Sequence, residues 1–312
     1  MNRPPVSSAA RPDTGPPGLH VLVPAPRRHL DPRGPGVGVV IPTRNEAPNL
    51  PWLAARMPRG IREIVLVDGD SVDGTVDEAR RLWPDVRVVA QTRSGKGNAL
   101  ACGFAAVTAE ITVMIDADGS MDPGEIPHFV DALLDGADYA KGSRFARGGG
   151  SHDITRTRSA GNAVLNTLTN ITYGSRFTDL CYGYNAFWTR VAPVFDLRPG
   201  TGRASRAPRQ WGDGFEIETM INIRAHRAGL RIAEVASFET VRLHGESNLH
   251  AVRDGLRVLR TIAAERGRRP VAPPPPALPV PSAARATGPS AARTADAEPV
   301  AVGVGSAEGS RP

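Results

Sequence analysis

Short apolar runs alternate with segments whose apolar positions recur every three or four residues over residues 37–143. VGVVIP (37–42), EIVLVD (63–68), VRVVAQ (86–91), ITVMID (111–116) and DYAKGS (138–143) read as strands. Between them the spacing predicts helices through Leu50, Leu53 and Met57, over 75–83 up to Pro84, over 96–108, and over about 124–135. Strands that are apolar throughout are buried on both faces. The expected fold is therefore α/β, a mostly parallel sheet with helices on both faces. Farther along, a helix is expected through Ile217, Met220 and Ile221. Another is expected over 250–266, with Val252, Leu256, Leu259 and Ala263 on its inward stripe and Arg253, Arg257 and Arg260 beside it.

The ends lack this pattern. Residues 1–36 hold nine prolines, and from Gly267 the chain turns to RRPVAPPPPALPVP and an Ala/Ser/Gly/Pro-rich stretch. Such segments bury too little apolar surface to offset ordering entropy, so disordered tails are expected at 1–36 and 267–312, with one folded domain over 37–266. The formal charge of +6 divides into +3 in the first tail, +2 in the last and +1 in the core. That distribution argues against a nucleic-acid partner, which calls for a basic face on the fold itself. Cys102 and Cys181 have neither zinc spacing nor a disulfide framework. No apolar run reaches the roughly 18–20 residues of a membrane span, and the start of the chain has no secretory pattern. A cytoplasmic protein is expected. The basic last helix, with RGRR after it, leaves contact with the inner face of the cell membrane as an alternative.

Candidate chemistry sits at strand ends. VMIDADGSMDP (113–123) sets Asp116, Asp118 and Asp122 just past a strand, and IVLVDGDSVDGT (64–75) does the same with Asp68, Asp70 and Asp73. In open α/β sheets ligands bind beyond the carboxyl ends of the strands. Clustered carboxylates repel unless a cation lies between them. Asp73 before Gly74 and Asp122 before Pro123 also suit a turn and a helix cap. For Asp116 and Asp118, metal or ligand binding is the expected role. The first strand is followed by PTRNEAPN rather than a Gly-rich dinucleotide fingerprint. RSGKGNAL (93–100) is not a P-loop, although a helix N-terminus there could receive an anion. A nucleoside diphosphate held through Mg²⁺ or Mn²⁺ fits better, because these ions take one or two carboxylates plus phosphate oxygens.

Five blocks in order, PTRNEAPNL (42–50), VDGDSVDGT (67–75), GKGNAL (95–100), DADGS (116–120) and KGSRF (141–145), resemble family 2 glycosyltransferases of the GT-A fold. RTRSAGN (156–162), DLCYGYNAF (179–187), GFEIE (214–218) and RLHGESN (242–248) resemble the polyprenyl-phosphate, dolichol-phosphate mannose synthase-like branch. The resemblance implies an inverting, metal-dependent sugar transfer from a nucleotide sugar, UDP- or GDP-linked. It implies a donor site at Pro42, Thr43, Asn45, Glu46, Asp68, Asp70, Lys96, Gly97 and Asp116, with the metal on Asp116 and Asp118. It also implies a grip on a lipid phosphate by Arg144, Arg156, Arg242 and His244, with Asp118 and Arg144 near the chemistry. Two positions depart from the branch. Gly69–Asp70 exchange the usual Asp–Gly order, and Asn248 replaces the usual Lys.

The acceptor can be argued from charge. A hydroxyl must lose a proton and needs a base, whereas a lipid phosphate is already anionic and needs cations. Arg144, Arg156, Arg158, Arg242 and His244 supply cations, and a guanidinium fork suits phosphate oxygens. WGDGFEIE (211–218) points the other way, since Asp213 could be a catalytic base or a helix cap, while Glu218 reads as structural. A hydroxyl acceptor with Asp213 as base is thus an alternative. A sugar nucleotidylyltransferase and a non-catalytic binding module are more distant ones.

Overall fold

The computed structural model describes residues 29–200, 208–245 and 251–274, without the side chains of 251 and 252. The expected alternation holds. It runs β1 (Val37–Thr43), α1 (Leu50–Arg56), β2 (Ile61–Asp68), α2 (Thr75–Leu82), β3 (Arg87–Ala90), α3 (Lys96–Ala106), β4 (Ile111–Met114), α4 (Ile126–Leu134) and β5 (Tyr139–Ser143). The second half adds β6 (Gly150–Ser151), α5 (Arg156–Tyr173), β7 (Asn185–Trp188), α6 (Ile217–Arg227), β8 (Ile232–Ala236), β9 (Phe238–Glu239) and α7 (Ala251–Arg266). Seven strands form one sheet in the order β3-β2-β1-β4-β7-β5-β8, all parallel except β7. β6 and β9 pair separately.

Successive residues of a strand face opposite sides, so the continuous apolar strands build two cores. Val39, Ile41, Leu66 and Val113 pack with Leu50 and Leu53 of α1 and with Phe129 and Leu133 of α4. Their neighbours Val40, Val65, Val67 and Met114 pack with Leu100 and Phe104 of α3 and with Ile217 and Ile221 of α6. Each such side chain, fully buried, contributes about 1.5–3 kcal/mol. A third cluster, Leu165, Phe177, Leu180, Ile223, Val258 and Ile262, joins α5, α6 and α7.

Contacts extend past both expected limits of the domain: the Leu30 amide donates to the Arg59 carbonyl at 3.0 Å, Leu30 joins the first core, and Arg268 pairs with Asp196. The remaining parts of both proposed tails lie outside the described residues. One expectation, the face of α7, needs correction. It buries Asp254, Val258, Thr261, Ile262 and Glu265, leaving Leu256 52 % and Leu259 37 % exposed and Ala263 exposed. Glu265 is drawn inward by Arg224 at 2.6 Å, and that buried ion pair fixes the helix's rotation. Leu256, Leu259 and Ala263 of the expected stripe therefore lie away from the core, and Leu256 and Leu259 line a cavity instead.

β1 and β4 are neighbours, yet the chain leaves them toward opposite edges of the sheet. Their carboxyl ends flank the crevice where open α/β sheets take ligands. Both acidic motifs reach this rim.

Candidate active site

The loops after β1 and β2 are tied to each other. Asn45, with φ +58°, accepts from the Val72 amide at 2.9 Å through its side chain, and its own amide donates to Ser71 Oγ at 2.9 Å. Asp73 accepts from the Ala47 amide and from Thr75. Its slight burial works against ionisation, but the hydrogen bonds from Thr75 and the backbone outweigh it and lower the pKa. Asp73 is therefore a loop tie, and Asp122 caps the turn that opens α4 by accepting from the Gly124 amide at 2.8 Å. Pro42 and Thr43 lie within β1, where the Thr43 hydroxyl donates to the Val67 carbonyl. Asp68 accepts from the Ser71 amide at 3.2 Å, while its other oxygen is buried without a protein partner. A buried acceptor of this kind calls for a donor from a ligand. Asp70, with φ +61°, is exposed.

Beside this rim opens a cavity of about 750 Å³ lined by Lys96, Asp116, Asp118, Arg144, Glu218 and Arg242. Asp116 and Asp118 follow β4 directly, and each meets a cation. Lys96 Nζ lies 2.7 Å from Asp116 and 2.8 Å from Glu218. Arg242 lies 2.8 Å from Asp118 and 3.3 Å from Glu46. Asp118 also accepts from the Ser120 amide and hydroxyl. Burial raises the pKa of Glu218 despite Lys96, and it raises that of Glu46 despite Asn49 and Arg242. Two carboxylates at an open cavity suit a hard divalent ion. Among the described residues no three or more His, Cys, Asp or Glu are grouped as a metal cage. An ion held here would take its remaining ligands from substrate oxygens, the habit of Mg²⁺ and Mn²⁺.

The far wall is different. Arg144, just past β5, forms a bidentate pair with Asp179 at 2.7 and 2.9 Å, reaches Glu239 at 3.0 Å, and lies over the Tyr182 ring. Cys181 opens on the cavity, where desolvation, then Asp179, pushes its thiol up to about 12. Beyond these groups the lining turns apolar: Ile154, Val164 and Leu165 on the α5 side, Leu256, Val258 and Leu259 on α7.

Several sequence assignments change. Asp213 is buried, with both oxygens paired to Arg93 at 2.8 Å and one also accepting from the Gln210 amide, and it does not line the cavity. It ties the 210–213 loop to Arg93, outside the cavity lining. The Gly97 amide donates to the Asp213 carbonyl at 3.0 Å, and a Cβ at Gly97 would lie 1.7 Å from the Gly212 carbonyl oxygen. Its lack of a side chain serves close loop packing, and its amide is not free for an anion. Arg156 is exposed and away from the cavity. Its neighbour Arg158, paired with Asp153 at 2.8 Å, takes the wall position because α5 turns about 100° per residue. The His244 side chain is exposed and outside the cavity lining, although its carbonyl accepts from Asn49 Nδ2. Asn248 lies outside the described residues. Glu218, read from sequence as structural, lies in the cavity. Its place in the GFEIE block, at the second residue of α6, is the signal that was available.

Comparison with known proteins identifies the family and the fold. The model for "Glycosyl transferase family 2" matches residues 38–192. The chain is 32 % identical over 221 residues to a polyprenol monophosphomannose synthase of Mycolicibacterium smegmatis, covering 68 % of this chain and 80 % of that one. It is 30 % identical over 224 residues to an undecaprenyl-phosphate mannosyltransferase of Micrococcus luteus, covering 67 % and 86 %. A solved structure of glucosyl-3-phosphoglycerate synthase from Mycobacterium tuberculosis, with Mn²⁺, UDP-glucose and phosphoglyceric acid, superposes with a TM-score of 0.57 at 22 % identity, covering 76 % of this chain and 81 % of that one. That likeness carries the GT-A fold. With relatives of this identity matched over most of their length, this chain belongs to glycosyltransferase family 2.

Proposed function

We propose that the protein moves one sugar, with inversion, from a nucleoside diphosphate sugar to a polyprenyl phosphate. The observation that carries this reading is the pairing of the cavity's acids. Asp116 and Glu218 face Lys96, Asp118 faces Arg242, Glu239 faces Arg144, Asp153 faces Arg158, and Asp254 lies 3.6 Å from Arg257. A carboxylate engaged by a cation is a poorer proton acceptor, and Glu218 departs from this because burial outweighs Lys96. This cavity suits an acceptor that arrives already ionised. The orphan oxygen of Asp68 supports a contact to the nucleoside, and Lys96 and Asp116 lie beside the diphosphate in this reading. A divalent ion on Asp116 and Asp118 would neutralise the charge of the departing diphosphate. Arg242 and Arg158 would hold the acceptor phosphate on the opposite side of the reacting carbon. Arg144 acts one step back, orienting that wall through Asp179 and Glu239.

The apolar wall supports a lipid. Val164, Leu168 and Ile171 are exposed in a stripe along α5, and Leu256 and Leu259 continue the surface on α7. Arg156, Arg253 and Arg260 are exposed near it. Among the described residues no helix is long and apolar enough to cross a membrane. Peripheral contact through this surface would let the isoprenoid chain stay in the bilayer while its phosphate enters the cavity. The relatives named above point to mannose as the first sugar to try.

The protein is incubated with radiolabelled GDP-mannose, UDP-glucose or other common donors, polyprenyl phosphate and Mn²⁺. Organic-extractable label is the expected result, and its absence with every donor overturns the reading. Leu256→Asp should raise KM for polyprenyl phosphate about tenfold, the loss of one buried apolar contact plus an added charge, with donor KM unchanged. A hydroxyl acceptor is the second reading, favoured only by Glu218, the deeply buried acid whose pKa is raised in the cavity. A soluble glycan product abolished by Glu218→Gln would select it.

A further inference from the structure

The segment after β9 lies as a strap over the D-x-D loop. The Thr240 amide donates to the Ser120 carbonyl at 2.8 Å, its hydroxyl to the Gly119 carbonyl at 3.0 Å, and the Leu243 amide to the Asp118 carbonyl at 3.1 Å. Gly119 has φ +79°, and a Cβ there would lie 2.6 Å from Leu243 Cδ1, so strap and loop fit as one unit. The far end of the strap is tied to the β1 loop through Asn49 and the His244 carbonyl at 3.3 Å. Arg242 projects from the middle of this strap with its two terminal nitrogens on different acids, Nη2 on Asp118 at 2.8 Å and Nη1 on Glu46 at 3.3 Å.

Glu46 is held in its own right. Its amide donates to Thr75 Oγ1 at 2.9 Å, and its second carboxylate oxygen accepts from Asn49 Nδ2. It is a fixed anchor facing a shared guanidinium, with one donor already on each of its carboxylate oxygens. Asp118, by contrast, is the acid a divalent ion would claim.

We infer that Glu46 is a positioning residue whose work is done through Arg242: it retains the guanidinium when Asp118 is given up to a divalent ion, turning the freed Nη2 into an anion-binding donor. This inference rests on the reading of a divalent ion at Asp116 and Asp118. Metal and acceptor anion then strengthen each other's binding through one arginine that changes partners. By linkage the effect is reciprocal. Glu46 is thereby moved from donor recognition to the coupling between the two substrates.

The test is a double-mutant cycle on the full chain, with free Mn²⁺ followed by electron paramagnetic resonance and inorganic phosphate as the anion probe. Arg242→Gln should bind Mn²⁺ alone ~5-fold tighter or more, the lower end of ordinary coupling effects, because a competitor for Asp118 is gone. Glu46→Gln should weaken Mn²⁺ binding several-fold in the native background, since Arg242 then falls wholly on Asp118. In the Arg242→Gln background the same change should alter it by less than about twofold. Simple charge effects would be additive instead, and additivity overturns the inference. Phosphate should tighten Mn²⁺ binding less in Glu46→Gln than in the native chain. Arg242→Lys, which keeps the charge but has a single side-chain nitrogen and so cannot stay on Glu46 while presenting a separate nitrogen to the anion, should behave like Arg242→Gln in the phosphate arm. Equal phosphate effects in all four proteins would also overturn the inference. Circular dichroism melts identify any variant that fails to fold, and the lysine variant then carries the test. If the native chain binds no Mn²⁺, the metal reading falls together with the inference. If it binds Mn²⁺ and the cycle is additive, only the inference falls.

Discussion

On the β1–β2 side of the rim, two loops are stitched by short hydrogen bonds between side chains and nearby backbone: Asn45 to Val72, Ser71 to Asn45, Asp73 to Ala47. On the β5–β7 side, Arg144, Asp179, Glu239 and Ser151 form a buried charged cluster whose members are brought together from positions far apart in the chain. The first side holds its shape with neutral or singly charged contacts near water. The second depends on ions that must all be present, because removing one strands another in a low-dielectric interior. The comparison teaches that the same rim combines a side tolerant of ligand exchange with one that is rigid by necessity.

The largest effect is expected on the rigid side. Arg144→Ala leaves Asp179, which has no exposed surface, without its bidentate partner, and should cost about 3–5 kcal/mol of stability. A urea titration would show it, and an unchanged midpoint would erase the distinction between the two sides. On the cleft between them, Asp118→Asn should keep the native melting profile while turnover falls ~10²–10³-fold, the usual scale for losing one preorganised electrostatic contact. A fall in stability equal to that of Arg144→Ala would mean that Asp118, too, is chiefly structural.

The smallest effect concerns pH. Glu125 lies under the β8–β9 link, where it accepts from Ser237 and from the Phe238 amide. Burial pushes its pKa up to about 7 from 4.5. An acid whose folded pKa is raised binds its proton more tightly when folded, so its contribution is full below the unfolded value. It declines as pH rises from about 4.5 and is gone above about 7. Glu125→Gln should flatten that part of a stability–pH curve. An unchanged slope between pH 5 and 7 would assign the titration elsewhere.

The β1–β2 side was legible in the sequence because its chemistry is local. A strand ends, a motif follows, and the topology brings such ends together; Asp68, Asp116 and Asp118 were read at this rim in that way, and the structure sets them there, with Lys96, singled out by resemblance, against Asp116. The other side was not, because spacing cannot say which arginine finds which acid. Arg144 was expected as a free phosphate grip and is instead bound to Asp179 and Glu239. Asp213 was weighed as a base, yet its partner Arg93 lies 120 positions away. The face of α7 was misjudged for the same reason: hydrophobic periodicity pointed one way, and the buried Arg224–Glu265 pair turned the helix another.

One strand of the sheet runs against the others. Asn185, the first residue of β7, stands level with Met114 of β4 and Lys141 of β5. A reversed strand is entered where its neighbours are left, so the lead-in from Asp179 to Tyr184 is delivered straight to the reactive opening. One short stretch of gene thus sets the Cys181, Tyr182 and Gly183 portion of the cavity wall without passing through the β1–β3 half of the sheet.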